Sequence, residues 1–138
     1  MATQVSAAAA AGNPNRTLGL FVRQFTVPVD ALVTAATDDI ECLPILAGET
    51  VMDVVIVPLG DMDTGAAALR FDVGDSDDQD QYIVGIDPGT GDGTAFKATV
   101  GHGTHYSADN KLVLTASTAA GGTAAAGSVQ VIMYVQAD

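Results

Sequence analysis

Between Leu18 and Gln136 the chain is a succession of short apolar, β-branched runs, each cut off by Gly, Asp or Pro. The runs read "LGLFVRQFTVPV", "DDIECLPIL", "VMDVVIVPL", "AAALRFDV", "QYIVGI", "AFKATV", "KLVLTAS" and "SVQVIMYVQ". Turn signals such as "AGET", "GDMDTG" and "DPGTGDG" separate them at the spacing of roughly 8–12 residues found in sandwiches and barrels. No helix-period segment interrupts this rhythm, so there are no crossover helices with which to join parallel strands. The expected fold class is all-β and antiparallel, with about eight strands.

A single domain spanning residues 17–138 accommodates these runs, and the length is enough to bury a real core. Residues 1–16 are different. They hold five consecutive alanines, Ala7 to Ala11, and end in the breaker cluster "GNPNR". A helix this short is marginal by itself, so the segment is expected to be a flexible arm that orders only against another surface. It lacks the basic start and leucine-rich middle of a secretory signal, and no run approaches the ~20 apolar residues that cross a bilayer. The expectation is synthesis in the cytoplasm and no membrane partner.

Seventeen acidic residues against five basic ones give a net charge of −12. Arg16, Arg23, Arg70, Lys97 and Lys111 are scattered and build no patch. Nucleic-acid binding needs cations that displace phosphate counterions, so a nucleic-acid partner is excluded. Hydrophobic residues make up 48% of the chain but aromatic ones only 5%, with no Trp. That balance suits packed β-branched layers better than an aromatic-lined ligand pocket.

Few residues offer chemistry. Cys42 is the single cysteine, so no internal disulfide forms, and its apolar setting in "DIECLPIL" reads as an inert, buried thiol. His102 and His105 in "GHGTHY" fall on opposite faces of a strand and share a metal only across a turn, with Asp109 as a third ligand. Loop placement near a subunit contact is the simpler reading. The glycine runs "GTGDGTAF" and "GGTAAAG" lack phosphate-loop spacing and lead into strands. Ser107 lies near His105 without a nucleophile elbow. No enzymatic activity is expected.

The densest functional candidate is "FDVGDSDDQDQYIVG", with Asp72, Asp75, Asp77, Asp78 and Asp80 inside nine residues. Alternating aspartates suit calcium, which takes six to eight oxygen ligands. The run does not match the EF-hand loop, since the Gly and the closing Glu are missing at their positions. Aspartates also make good turns and keep sheet edges soluble. The expected reading is a charged turn and no cofactor, with these five residues as weak calcium candidates. A calcium-dependent glycan-binding sandwich is the alternative from another functional class.

The last run is apolar on both faces: Val129, Val131, Met133 and Val135 on one, Ile132 and Tyr134 on the other. Such a strand is central in a sandwich or covered by another subunit.

The order of "FTVPVDALVTAATDDIECLPILAGETVMDVVIVPL", "RFDVGDSDDQDQYIVG" and "YSADNKLVLTASTAAGGTAAAGSVQVIMYVQAD" resembles small virion structural proteins of tailed bacteriophages, of the head-decoration or capsid-cement type. The likeness spans about residues 24–136 and rests on spacing and turn composition. It implies a jelly-roll-like β-sandwich that assembles as a homotrimer on the outer surface of the capsid. There it would bridge major capsid protein subunits and resist internal DNA pressure. A head-fibre base or a tail adaptor is the other virion part compatible with the pattern. The arm lies outside the shared pattern. Contact with the capsid or a neighbouring copy is expected from Ala7, Ala8, Ala9, Ala10, Ala11, Asn13 and Arg16, and from Ile132 and Tyr134.

Overall fold

The computed structural model describes residues 20–28, 39–60, 62–64, 68–88, 94–118, 123–124 and 127–137. The arm residues Ala7 to Ala11, Asn13 and Arg16 lie outside the described residues. Eleven strands occur among the described residues: β1 (Leu20–Pro28), β2 (Asp39–Ile45), β3 (Glu49–Leu59), β4 (Asp63–Thr64), β5 (Arg70–Asp75), β6 (Ile83–Ile86), β7 (Phe96–Lys97), β8 (Thr104–His105), β9 (Asn110–Thr118), β10 (Thr123–Ala124) and β11 (Ser128–Ala137).

Nine of them form two antiparallel sheets. The first runs β1-β11-β3-β7, with β8 also pairing β3; the second runs β2-β9-β5-β6. When β7 and β8 are counted as one interrupted strand along β3, the two sheets hold eight strands, and apart from the β5–β6 hairpin the neighbours within a sheet are not consecutive in sequence. This winding is that of a jelly roll. The sandwich expected from the sequence is therefore present. The three strands not anticipated, β4, β8 and β10, are two residues each. β4 pairs with β10 in a ribbon outside both sheets.

Period-two patterning explains which residues fill the space between the sheets. Val129, Val131, Met133 and Val135 of β11 and Val51, Val54 and Ile56 of β3 point inward from the first sheet. Phe71 and Val73 of β5 and Leu112, Leu114 and Ala116 of β9 answer from the second. A bulge between Tyr134 and Val135 lets Met52 bulge outward while keeping Val51 and Val54 in the core. A second bulge lies in β2, where Glu41 and Leu43 pair with consecutive residues of β9 and Cys42 has no partner. The Cys42 thiol contacts the carbonyl of Ile40 at 3.3 Å, and burial pushes its pKa up to about 11. At neutral pH it is a packed, protonated thiol, as the sequence suggested.

β1 and β2 are edge strands that face each other across the sandwich, and Pro28 and Pro44 sit in them as edge strands permit. Arg23 of β1 shares the inward side with Phe21 and Val27, where a cation needs a carboxylate. Glu49 at the start of β3 supplies it. The pair is bidentate, with Nη1–Oε1 at 2.6 Å and Nη2–Oε2 at 2.7 Å. The guanidinium also reaches the carbonyl of Pro44 at 3.3 Å and lies 5.0 Å from the centre of the Phe21 ring. It thereby fastens the first sheet's edge to the turn leaving the second.

Glu49 is 4% exposed. Burial would raise its pKa, but the hydrogen bonds from Arg23 and the Leu46 amide, with the guanidinium charge, more than offset it and hold the carboxyl below the usual 4.5. A depressed folded-state pKa contributes stability that is present above the unfolded value and lost as pH falls through the folded one. Glu49→Gln is therefore expected to be destabilised at pH 7 by about 1–3 kcal/mol, with the gap to wild type closing below about pH 4. Thermal melts across pH 3–8 check this, and a gap independent of pH would refute it.

Candidate functional site

The aspartate run begins as strand β5 and leaves it as a loop. Strand parity divides it at once: Phe71, Val73 and Asp75 face the core, while Asp72 and Gly74 face outward. Asp75 is consequently buried, at 6% exposure, and its charge is fully used. Oδ1 accepts the backbone amides of Asp77 at 2.9 Å and Asp78 at 2.8 Å, and Oδ2 accepts the Tyr106 hydroxyl at 2.7 Å. The Asp75 amide in turn donates to the Asp78 carbonyl at 2.9 Å. One inward carboxylate thus closes the turn that follows it.

Tyr106 has two tasks. Its hydroxyl holds Asp75 and lies 2.5 Å from that of Tyr82, which is also buried. Its backbone joins the β2–β3 turn, with its amide donating to the Glu49 carbonyl at 2.8 Å and its carbonyl accepting from Gly48 at 2.7 Å. Burial, then the contacts with Tyr82 and Asp75, raise the Tyr106 pKa well above the ordinary phenol value. Tyr82 is raised too, chiefly by burial. The protonated Tyr106 hydroxyl is the donor in its bond to Asp75.

The remaining aspartates do separate things. Asp72 accepts the Gly85 amide at 2.6 Å where the β5–β6 register is irregular, replacing a ladder bond. Asp77 accepts from the Asn110 side chain at 3.1 Å, and Asn110 accepts the Ser76 amide at 3.1 Å. Asp78 and Asp80 are exposed and crowd each other: a hydrogen bond to the Asp80 carboxylate, then burial and its charge, raise the Asp78 pKa. Among the described residues no three His, Cys, Asp or Glu side chains are gathered where they could hold a metal ion. The run is a constructed turn whose exposed half, Ser76 to Asp80, faces water.

The turn also folds back on the sheet. A Cβ at Gly74 would meet the backbone of Asp78 and Gln79 inside 3.0 Å, so only glycine lets the loop lie against β5. Gln79 then reaches Asp39 of β2 at 3.0 Å across the outside of the second sheet. Val113 and Thr115 of β9 point outward yet are covered.

The other sequence candidates fall apart spatially. His102 Nε2 is 2.8 Å from the Ala98 carbonyl and 4.0 Å from Asp53, while His105 Nδ1 is 3.1 Å from the Thr50 hydroxyl. Asp109 accepts the Ala47 amide at 2.9 Å and so fixes the β2–β3 turn. Ile132 and Tyr134 are on the outward face of β11, half-buried, in the middle of the first sheet. Cross-strand register sets Val22 against Tyr134, and Ile132 against Val55. With Leu20 and Met52 they make a broad apolar surface that no described element covers; Leu20 is 62% and Val22 51% exposed. Sequence reasoning named two of these residues but not Leu20, Val22, Met52 or Val55. The outward parity of β1 and β3 held the missing signal.

Two substitutions test the loop. Asp75→Ala strands a buried hydroxyl and two amides and is expected to cost about 3 kcal/mol. Gly74→Ala should cost about 1–3 kcal/mol through overpacking. Denaturant midpoints measure both, and a chelator is expected to leave the wild-type melting temperature unchanged.

No protein-family model and no curated protein matches the chain. Solved structures do. A chain in the cyanophage Pam1 capsid asymmetric unit superposes with a TM-score of 0.75 at 22% identity, covering 87% of this chain and 86% of that one. One in the capsid of Ralstonia phage GP4 gives 0.65 at 18% identity, over 91% and 89%. One in the acidic stable capsid structure of Helicobacter pylori bacteriophage KHP30 gives 0.57 at 10% identity, over 83% and 86%. At these identities the likeness establishes a shared fold across nearly the whole chain.

Proposed function

We propose that this chain is a non-enzymatic structural protein of a tailed-phage virion, a decoration or cement protein. It binds the outer surface of the capsid as a homotrimer and bridges subunits of the major capsid protein. The observation that carries this reading is the uncovered apolar face of β1, β11 and β3 on a jelly-roll sandwich, a fold shared with chains of three phage capsid structures. Contiguous exposed apolar surface of this kind marks protein–protein contact. The buried carboxylates Glu49 and Asp75 and the tyrosines Tyr82 and Tyr106 are engaged in holding turns and edges, which fits a protein that works by contact area. Symmetric copies multiply individually weak contacts through avidity.

Ile132 and Tyr134 belong to that face, and the arm, Ala7 to Ala11 with Asn13 and Arg16, is proposed as a further contact with the shell or a neighbouring copy. The site needs no bound ion on this reading.

Phage heads made without this chain supply the test. Purified protein added to them is expected to bind saturably and raise the temperature at which DNA is released. Removing residues 2–16 should lower occupancy. Absence of the protein from purified virions would overturn the proposal.

A further inference from the structure

We infer that the outer face of the β1–β11–β3 sheet is the surface on which a second copy of this chain docks. The inference deepens the proposed coat role and takes its biological setting from it. Three observations point to a copy of the same chain as the occupant.

The first is charge. The chain holds seventeen acidic residues and a net charge of −12, so most approaches of one copy to another are repulsive. The outward positions of β1, β3 and β11 carry a single carboxylate, that of Asp53. This is the face on which two copies approach at least electrostatic cost. The opposite sheet carries outward Glu41 and Asp72 and the loop with Asp77, Asp78 and Asp80.

The second is an unmatched cation. Arg23 pairs with Glu49, Arg70 with Asp87 at 3.6 Å, and Lys111 with Glu41. Lys97 is exposed on β7 and has no ion-pair partner among the described residues. It lines a shallow depression together with Leu20, Met52, Asp53, Val55 and Tyr134. A lone ammonium at the rim of an apolar surface seeks a carboxylate from whatever covers that surface.

The third is self-complementarity. Asp53 lies in the same depression, where it accepts the Val54 amide at 2.8 Å and approaches His102 but makes no pair with Lys97. One anion and one cation, displaced from each other on one apolar face, match a symmetry-related copy of that face. Lys97 of each copy then meets Asp53 of the next, and Val22, Ile132 and Tyr134 are buried between them. A twofold axis generates this pattern where the face meets itself, and a threefold axis where the Lys97 part of the face in one copy meets the Asp53 part in the next. Tyr134 and Met52 lie beside Asp53 and Lys97 in this depression, so apolar and charged contacts form together.

The test is the mass of the full-length protein in solution, by sedimentation equilibrium and native mass spectrometry. The expected wild-type mass is a multiple of 13.9 kDa. Val22→Asp and Lys97→Glu each should weaken association by about tenfold or more, and Asp53→Lys added to Lys97→Glu should restore it. Thermal melts confirm that the variants fold; should Val22→Asp unfold, Lys97→Glu and its rescue decide. A monomeric wild type, an assembly indifferent to both substitutions, or a failed charge-swap rescue overturns the inference. Because capsids are absent from this experiment, an oligomer that dissociates as expected but does not bind heads leaves the contact standing and removes the coat role.

Discussion

Three buried carboxylates hold the connections at the ends of this sandwich. Glu49, Asp63 and Asp75 are each less than a tenth exposed, and each accepts backbone amides that no sheet ladder can serve. Glu49 takes the amide of Leu46, Asp63 those of Ala68 and Leu69, and Asp75 those of Asp77 and Asp78. A jelly roll makes this demand because its strands cross repeatedly from one sheet to the other. Each crossing leaves amides near the core without a strand partner, and an unpaired buried amide costs as much as a lost hydrogen bond. A carboxylate can satisfy two amides at once and still accept from a third group.

Glu49 and Asp75 are joined through one residue, by the backbone of the first and the carboxylate of the second. Tyr106 bonds the Glu49 carbonyl with its amide and the Asp75 carboxylate with its hydroxyl, so the path from Arg23 to the aspartate turn is continuous. The path crosses from the first sheet's edge, through the β2–β3 turn, to the end of β5 in the second sheet. Packed apolar layers alone are tolerant of sliding, whereas hydrogen bonds with fixed geometry are not. The polar path therefore sets how the sheets register, while Val, Ile and Leu supply the cohesion. Two of the chain's three tyrosines are placed in it, Tyr82 and Tyr106. The third, Tyr134, is on the apolar outer face.

The eight principal strands were legible because alternation and turn residues are local signals, and β2, β3, β9 and β11 follow them within one or two residues. β4, β8 and β10 were not, since a two-residue strand exists only where a distant partner happens to lie. The aspartate run shows the same division. Its turn character was readable, but its five carboxylates look equivalent in sequence. Continuing the parity of Phe71 and Val73 to Asp75 would have singled out the buried one. Arg23 likewise shares parity with Phe21 and Val27, which predicts an inward cation and a carboxylate partner. Identifying that partner as Glu49, 26 residues away, required the fold.

The distribution of the acids ties stability to function. Among the described residues, carboxylates inside the sandwich are each paired with donors, and most of those outside lie on the second sheet and its loops, where Asp80 raises the Asp78 pKa by a hydrogen bond and by its charge. Of these acids only Asp53 occupies an outward position of β1, β11 or β3. Their near absence there leaves about three strands' width of apolar surface, roughly 14 Å across at a strand spacing near 4.8 Å. For an isolated molecule such a face invites indiscriminate association. The acidic residues on the second sheet and its loops disfavour association through that side, because it brings like charges together. The charge on the second sheet thus favours contact through the outward face of β1, β11 and β3.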